Sequence, residues 1–464
     1  MSRAQLHLCY PLALAILAVC CAEDSPPPAE QKALGGNGGE PDAPIGSGEA
    51  VPVRPELSDG GVAGERAEPP PPIAAGAAGS PSAAGGAGGN AGEAGAGGAA
   101  GPSLPGVEAC DGELAFAQHD IDQGFTGENK ALADLDGDGL LDIIVGSSRL
   151  KWYQAPDWTA HDITEAEGIF LGHMQAGDID GDGAEDIVTP DGNFIVWFEN
   201  PGGELSADGT AWKRHLVGDQ RGWAHELELA DMNRDGKLDI VTNRNLEIWL
   251  QGAQPTSWEE VPLHSLADAE GLALGDVDGD DRIDLVVRGY WIKSPEDARD
   301  RASYERFEVD DTMHDSVVIK VADIDEDGAA DLVYAPKEDN VSEIAWYSAG
   351  DPTQAWTRHV VAPAGFVHEF VVADFDGAGR PDIAFAEMSP GPSRRVGIFL
   401  QTAPGEWSLN LIAEDGSHNI VAGDLGNDCD LDIVGANWEA PPVRVFENQR
   451  CDGSGASCRR RSPK

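Results

Sequence analysis

Residues 134–145 read Asp134-Leu-Asp136-Gly-Asp138-Gly-Leu-Leu-Asp142-Ile-Ile-Val, a short acidic loop that runs into an apolar strand. Carboxylates stand at its first, third, fifth and ninth places, so alternate side chains can turn inward around one hard cation that takes about six to eight oxygens. Glycine at the sixth place allows the sharp backbone turn that brings the seventh carbonyl to the ion. The stretch therefore predicts a calcium loop.

The loop is one copy of a repeat. The same arrangement returns with its first aspartate at Asp178, Asp231, Asp276, Asp323, Asp374 and Asp424. Neighbouring copies lie 44 to 53 residues apart. That period is typical of a propeller blade of four short strands and not of a helical hairpin. The loops therefore predict seven blades.

Each period contains the pattern of four strands. The apolar strand after each loop has the continuous apolar character of a strand buried on both faces. The next strand carries an aromatic residue, at Trp152, Trp197, Trp249, Trp291, Trp346, Phe399 and Phe446. The fourth strand begins with Trp-x-x-His or a looser version, most clearly at residues 158–161, 212–215 and 356–359.

An additional copy of the fourth strand precedes the first loop. Residues 116–121, Phe116 to Ile121, match its pattern, and no equivalent remains after Phe446. The first strand must then complete the last blade, because an open end would leave an unpaired strand edge. We predict an all-β fold, a seven-bladed β-propeller at residues 107–451 in which the N-terminal strand completes the last blade.

These loops, aromatic strands and Trp-x-x-His strands resemble the FG-GAP/VCBS repeat family, which includes the integrin α-subunit propeller and many secreted bacterial proteins. The resemblance covers the predicted propeller and implies its fold and its calcium binding. It leaves the activity open, because this fold hosts adhesion modules, lectins and carbohydrate lyases or dehydratases alike. The literal Phe-Gly and Gly-Ala-Pro elements are not evident in this sequence, so an integrin-like mode of ligand binding does not transfer.

The seven loops carry unequal ligand sets. Four carboxylates occupy the ligand places in the first, second, fourth and fifth loops: Asp134, Asp136, Asp138 and Asp142; Asp178, Asp180, Asp182 and Asp186; Asp276, Asp278, Asp280 and Asp284; Asp323, Asp325, Asp327 and Asp331. The other three sets are Asp231, Asn233, Asp235 and Asp239; Asp374, Asp376 and Asp382; and Asp424, Asp428 and Asp432. Ala378 and Gly426 remove one ligand each from the last two loops. We expect about five well-formed Ca²⁺ sites and two weaker ones, with Asp281, which replaces the usual glycine of the fourth loop, as a source of strain.

The net charge of −51 also indicates that the loops need cations. So many like charges in tight loops would repel one another without cations. We therefore expect calcium to be part of the fold, where it staples each blade and does not act as a switch. So acidic a chain is also a poor candidate for binding nucleic acid or an anionic membrane.

The two ends of the chain differ from the propeller in composition. Residues 1–22 contain a short apolar run that ends in Cys20-Cys21-Ala22, which predicts an export signal too short to span a bilayer. Residues 17–20 loosely resemble a lipoprotein box, and ordinary cleavage is an equal alternative. Residues 23–106, rich in Gly, Ala and Pro, predict a disordered linker, and residues 452–464 a basic disordered tail. We expect a monomer without a transmembrane span, either secreted or lipid-anchored at the cell surface, on the outer face of a bacterial envelope.

Four cysteines follow the signal: Cys110, Cys429, Cys451 and Cys458. An even number in an exported protein predicts disulfide bonds. Cys110 and Cys451 bracket the propeller, so a bond between them would lock its closure. A bond between Cys429 and Cys451 is an alternative, and the sequence leaves the pairing open.

Polar and titratable residues precede the first strand of every blade. They are Glu128, Asn129, His173, His225, Glu226, Glu270, His314, Asp315, His368, Glu369, His418 and Asn419. In propellers of the resembled family, the calcium loop joins the first strand to the second at one face of the disc. Residues ahead of the first strand should therefore surround the axis at the opposite face, about 17 Å away across a strand of some five residues. The histidines are then not calcium ligands.

This axial ring has two interpretations: it lines a polar channel mouth with bonds to backbone and water, or it forms a ligand pocket. The catalytic candidates are His173, His225, Glu226, His368, Glu369 and His418. The ligand-binding candidates are Trp223 and the cations that follow the second strands, namely Arg244, Arg288, Lys337 and Arg394, together with Arg395. Phe125, Phe170 and Phe366 could stack on sugar rings or belong to the core. An acidic sugar or polysaccharide fits these cations best.

By contrast, the histidines of the Trp-x-x-His strands lie on the outermost strands. They are His119, His161, His215 and His359. Their regular pairing with an aromatic residue indicates packing and hydrogen bonding.

Two hypotheses of function follow. The favoured one is a non-catalytic, calcium-stabilised module that binds carbohydrate or an extracellular protein through the axial face. The alternative is a carbohydrate lyase or dehydratase that acts on acidic sugars. In it, His225 or His368 would remove a proton next to a carboxylate, and a cation or a transition metal bound by the axial histidines would stabilise the enolate.

Overall fold

The computed structural model describes residues 113–451, apart from residues 165–166, 203–211, 221–223, 244, 265, 267–269, 315, 338–341, 390 and 438–441. The predicted signal, linker and basic tail lie outside the described residues, as do Trp223, Arg244, Asp315, Cys110 and Cys458. Within the described part, no helix is long and apolar enough to cross a membrane.

Twenty-eight strands form the described part of the chain. They are β1 (Phe116–Asp122), β2 (Asn129–Ala133), β3 (Asp142–Gly146), β4 (Leu150–Gln154), β5 (Thr159–Asp162), β6 (Gln175–Gly177), β7 (Asp186–Asp191), β8 (Phe194–Glu199), β9 (Lys213–Asp219), β10 (Leu227–Ala230), β11 (Asp239–Thr242), β12 (Glu247–Gln251), β13 (Trp258–Pro262), β14 (Ala273–Gly275), β15 (Asp284–Val287), β16 (Tyr290–Lys293), β17 (Glu305–Glu308), β18 (Val317–Ala322), β19 (Asp331–Pro336), β20 (Glu343–Ser348), β21 (Thr357–Pro363), β22 (Val367–Ala373), β23 (Asp382–Glu387), β24 (Val396–Ala403), β25 (Glu406–Ala413), β26 (Asn419–Gly423), β27 (Asp432–Ala436) and β28 (Val443–Asn448).

These strands form seven antiparallel sheets of four strands. Blades 1 to 6 each use four consecutive strands, beginning with β2–β5. Blade 7 has the order β1-β28-β27-β26, and β1 pairs with β28 from Phe116 opposite Asn448 to Asp122 opposite Val443. The first strands of the blades contact one another in a closed ring, in which β2 of blade 1 meets β26 of blade 7. The predicted seven-bladed propeller and its closure by the N-terminal strand are confirmed.

The core consists of layers between neighbouring blades. Successive residues of a strand point to opposite faces of its sheet, so Ile143 packs towards blade 7 and Ile144 towards blade 2. Seven apolar clusters of this kind fill the spaces between adjacent blades. The second strands are therefore buried almost throughout, and apolar for most of the length after their first aspartate, whereas the fourth strands vary in exposure along their length.

Strand register separates two kinds of residue. In blade 1, Ala133 at the end of β2 lies opposite Asp142, next to the acidic loop, whereas Asn129 at its start lies opposite Gly146. The acidic loops therefore leave the first strands at one end, and the axial residues enter at the other. In the seventh loop, Cys429 is disulfide-bonded, and so is Cys451 beyond β28. The pairing of the four cysteines stays a prediction.

Candidate functional site

The acidic loops are closed by their own side chains. In all seven loops the ninth aspartate accepts the N–H of the second loop residue, over 2.8 to 3.1 Å. In the first loop, Asp134 also accepts the N–H of Gly139 over 2.9 Å. The other oxygen of Asp142 accepts the N–H of Ala155, the residue that follows β4. The ninth aspartate therefore ties its loop to the third strand of the same blade.

Oxygen donors converge inside several of these loops. The first, third and ninth aspartates place one oxygen each within 4.8 Å of the others in four loops: Asp134, Asp136 and Asp142; Asp178, Asp180 and Asp186; Asp276, Asp278 and Asp284; Asp323, Asp325 and Asp331. One oxygen each of Asp134, Asp278, Asp325 and Asp374 is buried without a hydrogen-bond partner. Buried carboxylate oxygens need a cation or a donor, and a hard all-oxygen set suits Ca²⁺.

Burial shapes the ionisation of the same side chains. It raises the pKa of the ninth aspartate to about 7 in six loops and to about 8 at Asp432. Neighbouring aspartates add to the effect in each loop. A bound divalent cation would favour the charged form of these aspartates.

Two loops depart from glycine at the sixth place. Asp281 of the fourth loop has a φ of +62° and Cys429 of the seventh has a φ of +82°. Both lie in the left-handed region that disfavours side chains. The strain expected at Asp281 is therefore present in the backbone, and the disulfide-bonded Cys429 shares it.

At the opposite face, histidines from four blades meet around the axis. The imidazoles of His368 and His418 stack with their centroids 4.0 Å apart, and the centroid of His225 lies 6.4 Å from that of His368. His173 places Nε2 3.1 Å from Oε2 of Glu369. The sequence candidates from blades 2, 3, 6 and 7 are thus brought together.

Carboxylates and lysines complete this axial cluster. Lys337 donates to Glu226, and both side chains are almost fully buried, at 1% and 2% exposure. Asn243 donates to the other oxygen of Glu226. Lys320 places Nζ 3.1 Å from Oε1 of Glu369. Lys337 is therefore an internal counter-ion and not a surface cation, because its side chain turns inward from the end of β19.

The buried axial groups are held in unusual ionisation states. Burial raises the pKa of Glu128 to about 7 and that of Glu228 to about 8, and it lowers the pKa of His418 to about 3. The pKa of Glu369 shifts in the opposite direction. Burial would raise this pKa, but Lys320 and His173 lower it to about 2. The centre of the disc therefore combines neutral imidazoles with paired charges.

The mouth of the axis is more accessible than its depth. His225 and Glu270 are 31% and 27% exposed, with Nε2 and Oε1 3.9 Å apart. Ser316 donates to the other oxygen of Glu270 over 2.5 Å, and the nearby His314 is exposed. His368 and His418 lie below them and are buried.

The remaining sequence candidates lie around this mouth or in the core. Arg288 donates to the carbonyl of Met313, and Arg394 is exposed. Arg395 forms an ion pair with Glu387 over 2.6 Å. Phe170 is a buried core residue that packs edge-on against Phe198. The sequence left its role open between stacking and core.

Sequence reasoning missed the charged residues within the first strands. Lys130, Glu228 and Lys320 lie one to three residues inside β2, β10 and β18, and Glu228 accepts a bond from Gln175 over 3.1 Å. A charged residue within a strand that is otherwise buried on both faces has to reach the axis or the solvent. That interruption of the apolar run is the signal that could have found them.

The outer histidines stack on the tryptophans of the third strands. Ring centroids are 4.5 Å apart for Trp152 and His161 and 4.3 Å for Trp197 and His215. For Trp346 and His359 the distance is 4.0 Å. These rings pack in the outer part of each blade, as the sequence predicts for them.

The buried His418 predicts a pH effect on stability. A folded-state pKa of about 3, against about 6.5 when unfolded, means that its contribution is complete above pH 6.5 and declines as the pH falls towards 3. Relative to His418→Asn, the wild type should lose up to ~1.4 kcal/mol of unfolding free energy per pH unit below pH 6.5. Urea unfolding at pH 7, 6 and 5 measures the difference.

The comparison between variants isolates His418, because its axial neighbours Glu128, Lys130, Lys337, His173 and His368 are common to both proteins. His119→Asn on the outer edge of blade 7, where the side chain is 52% exposed, is the control. A difference between wild type and His418→Asn that stays constant with pH would contradict a buried neutral imidazole.

The fold and loops define a seven-bladed β-propeller with aspartate-rich loops. The FG-GAP-like repeat model matches residues 134–189, 178–242 and 323–385. The chain therefore carries FG-GAP-like repeats in a seven-bladed propeller, as the motifs predict.

Several solved structures are similar to the chain, whereas no curated protein sequence matches it. An Agrocybe aegerita lectin, described as recognising non-reducing terminal N-acetylglucosamine, is 16% identical over 75% of this chain and 97% of that chain, with a TM-score of 0.48. BBS1N in complex with ARL6DN is 10% identical in two structures. The match to the lead-soaked structure covers 73% of this chain and 98% of that chain, with a TM-score of 0.46. The match to the mercury-soaked structure covers 72% of this chain and 96% of that chain, with a TM-score of 0.47.

Proposed function

We propose that this protein is an exported, calcium-stabilised recognition module that binds carbohydrate at the mouth of its axis. The observation that carries the proposal is the accessible pair His225 and Glu270 above a buried, internally paired layer. A rigid ring of seven blades holds this pair in place, and loops from several blades surround it. An accessible imidazole and carboxylate held side by side suit the recognition of hydroxyl groups.

The charges at the axis favour a different class of sugar from the one that the sequence favours. The sequence favours an acidic ligand because cations follow the second strands. In the structure, Lys337 pairs with Glu226 and Arg395 with Glu387, so neither cation is presented to a carboxylate. Glu270 can accept hydrogen bonds from sugar hydroxyls. We therefore propose a neutral, hydroxyl-rich glycan as the ligand.

A second candidate is the lyase or dehydratase, favoured by one observation. His225 and Glu270 form an accessible imidazole and carboxylate pair of the kind that moves protons in general acid–base catalysis. A transition metal on His368 and His418 fits the geometry poorly. Their rings stack at 4.0 Å with 29° between planes, and imidazole lone pairs lie in the ring plane, so one ion would require the rings to turn.

The axial proposal predicts that two variants bind the glycan more weakly. His225→Ala and Glu270→Gln should each weaken binding on a glycan array and by calorimetry at least about tenfold, the cost of about one or two lost hydrogen bonds. His119→Ala is the matched control, because His119 pairs with Glu447 on the outer strand of blade 7.

The same proteins separate binding from catalysis. Incubation with neutral and uronate-containing polysaccharides, followed by absorbance of unsaturated ends, should show no product. Product that disappears in His225→Ala would establish the lyase instead. Binding that survives both axial variants would contradict the axial site.

A further inference from the structure

One residue position next to each acidic loop differs between blades in a way that affects the loop. In blades 1, 2 and 4 it is the last residue of the third strand, directly before the N–H that bonds the ninth aspartate. Blade 1 has Gln154 there and blade 2 has Glu199, but blade 4 has Lys293. Gln154 donates to Asp136, the third residue of its loop, over 2.5 Å. The position therefore reaches the ligands of the loop.

Lys293 occupies this position in blade 4 and places its ammonium among the loop carboxylates. Its ammonium donates to Asp278 and, over 2.6 Å, to Asp280, the third and fifth residues of the fourth loop. The ammonium therefore lies where a metal would meet the same oxygens.

Arg282 adds a second cation to the fourth loop. Its guanidinium donates to Asp280, and its Nε donates to the carbonyl of Ser294 over 3.0 Å. Both are bonds within blade 4, so the side chain is fixed between the loop and the third strand. Asp278 and Asp280 therefore face two protein cations.

These contacts oppose calcium at the fourth loop. A Ca²⁺ ion needs the oxygens of Asp278 and Asp280 and would have to displace Lys293 from both. It would then lie beside an ammonium and a guanidinium, and like charges at such short range repel strongly.

We propose that the fourth loop does not use calcium: Lys293, assisted by Arg282, is its built-in counter-ion, and blade 4 is the calcium-independent blade of the ring. The inference departs from the ligand count, which ranks this loop among the strongest four. It does not depend on the proposed glycan site.

Native mass spectrometry in calcium counts the bound ions directly. Asp278→Asn in the wild-type background should leave the number of bound Ca²⁺ ions unchanged. The double variant Lys293→Gln with Arg282→Gln should bind one ion more than the wild type. Adding Asp278→Asn to that double variant should remove the additional ion again.

Arg299→Gln is the control for the loss of a cation away from the loop, because Arg299 pairs with Glu259 on the surface, and it should not change the count. Circular dichroism verifies that each variant is folded. Loss of one ion in Asp278→Asn alone, or no gain in the double variant, would overturn the proposal.

Hydrogen exchange gives a second readout that needs no variant. During stepwise removal of calcium, at a stage where circular dichroism still shows a folded propeller, amide protection should fall in residues 134–142, 178–186 and 323–331 and persist in residues 276–284. Equal loss of protection in the fourth loop would overturn the proposal as well.

Discussion

Removal of calcium with EDTA is expected to bring the propeller close to unfolding at room temperature. The first, second and fifth loops each combine four aspartates with converging oxygen donors. At a hundredfold excess of calcium over its dissociation constant, one site stabilises the folded state by ~2.7 kcal/mol, so three sites contribute about 8 kcal/mol. That is comparable with the whole stability of a typical domain, roughly 5–15 kcal/mol. Thermal unfolding with calcium and with EDTA measures the loss.

One loop variant ties this effect to the aspartates. Asp325→Asn should lower the melting temperature in calcium and add little further loss in EDTA, because the fifth site is then already weakened. Asp157→Asn is the control, since Asp157 is an exposed turn residue outside the loops. A melting temperature that does not respond to EDTA would contradict calcium as part of the fold.

The fold was predictable because its signals are local and repeated. Each acidic loop occupies nine consecutive residues, and the strand that follows is apolar because its two faces pack in different interblade layers. The closure of the ring by the N-terminal strand was also predictable from the sequence. The pattern at residues 116–121 matches a fourth strand that blade 7 lacks, and β1 does pair with β28.

The chemistry of the axis was only partly predictable. Register placed the histidines at one face, but a repeat pattern does not say which side chains meet across the ring. Glu226 and Lys337 are 111 residues apart and belong to blades 3 and 5. The sequence could propose Lys337 as a ligand-binding cation, since only the closed ring determines that its side chain turns inward to a carboxylate.

The fourth loop is a second case in which the sequence pattern does not reveal a decisive side-chain contact. Counting carboxylates within the loop ranks it with the first and second loops. Lys293 stands nine residues beyond Asp284, at the end of the next strand, so its effect depends on a strand pairing and not on the loop itself. Ligand sets read from sequence therefore need the neighbouring strand as well.

Substitution of Lys337 by methionine is expected to have the largest effect of any single change at the axis. It leaves the carboxylate of Glu226 buried and charged beside Asn243 and the N–H of Gly271. Loss of one partner of a buried ion pair costs about 3–5 kcal/mol. Because Lys337 is only 1% exposed, solvent cannot replace the ammonium. Urea unfolding in saturating calcium measures the loss separately from that of the loops.

Two further variants determine whether the missing charge causes the loss. Glu226→Gln combined with Lys337→Met should recover at least half of it, because the uncompensated carboxylate is then gone. Lys213→Met is the matched control: Lys213 also pairs with a glutamate, Glu199, but its side chain is 67% exposed, so solvent screening leaves little to lose. If Lys337→Met were as mild as Lys213→Met, the buried pair would not stabilise the ring. If the double variant recovered nothing, the loss would come from the packing of the lysine stem, because the charge of Glu226 would then have no part in it.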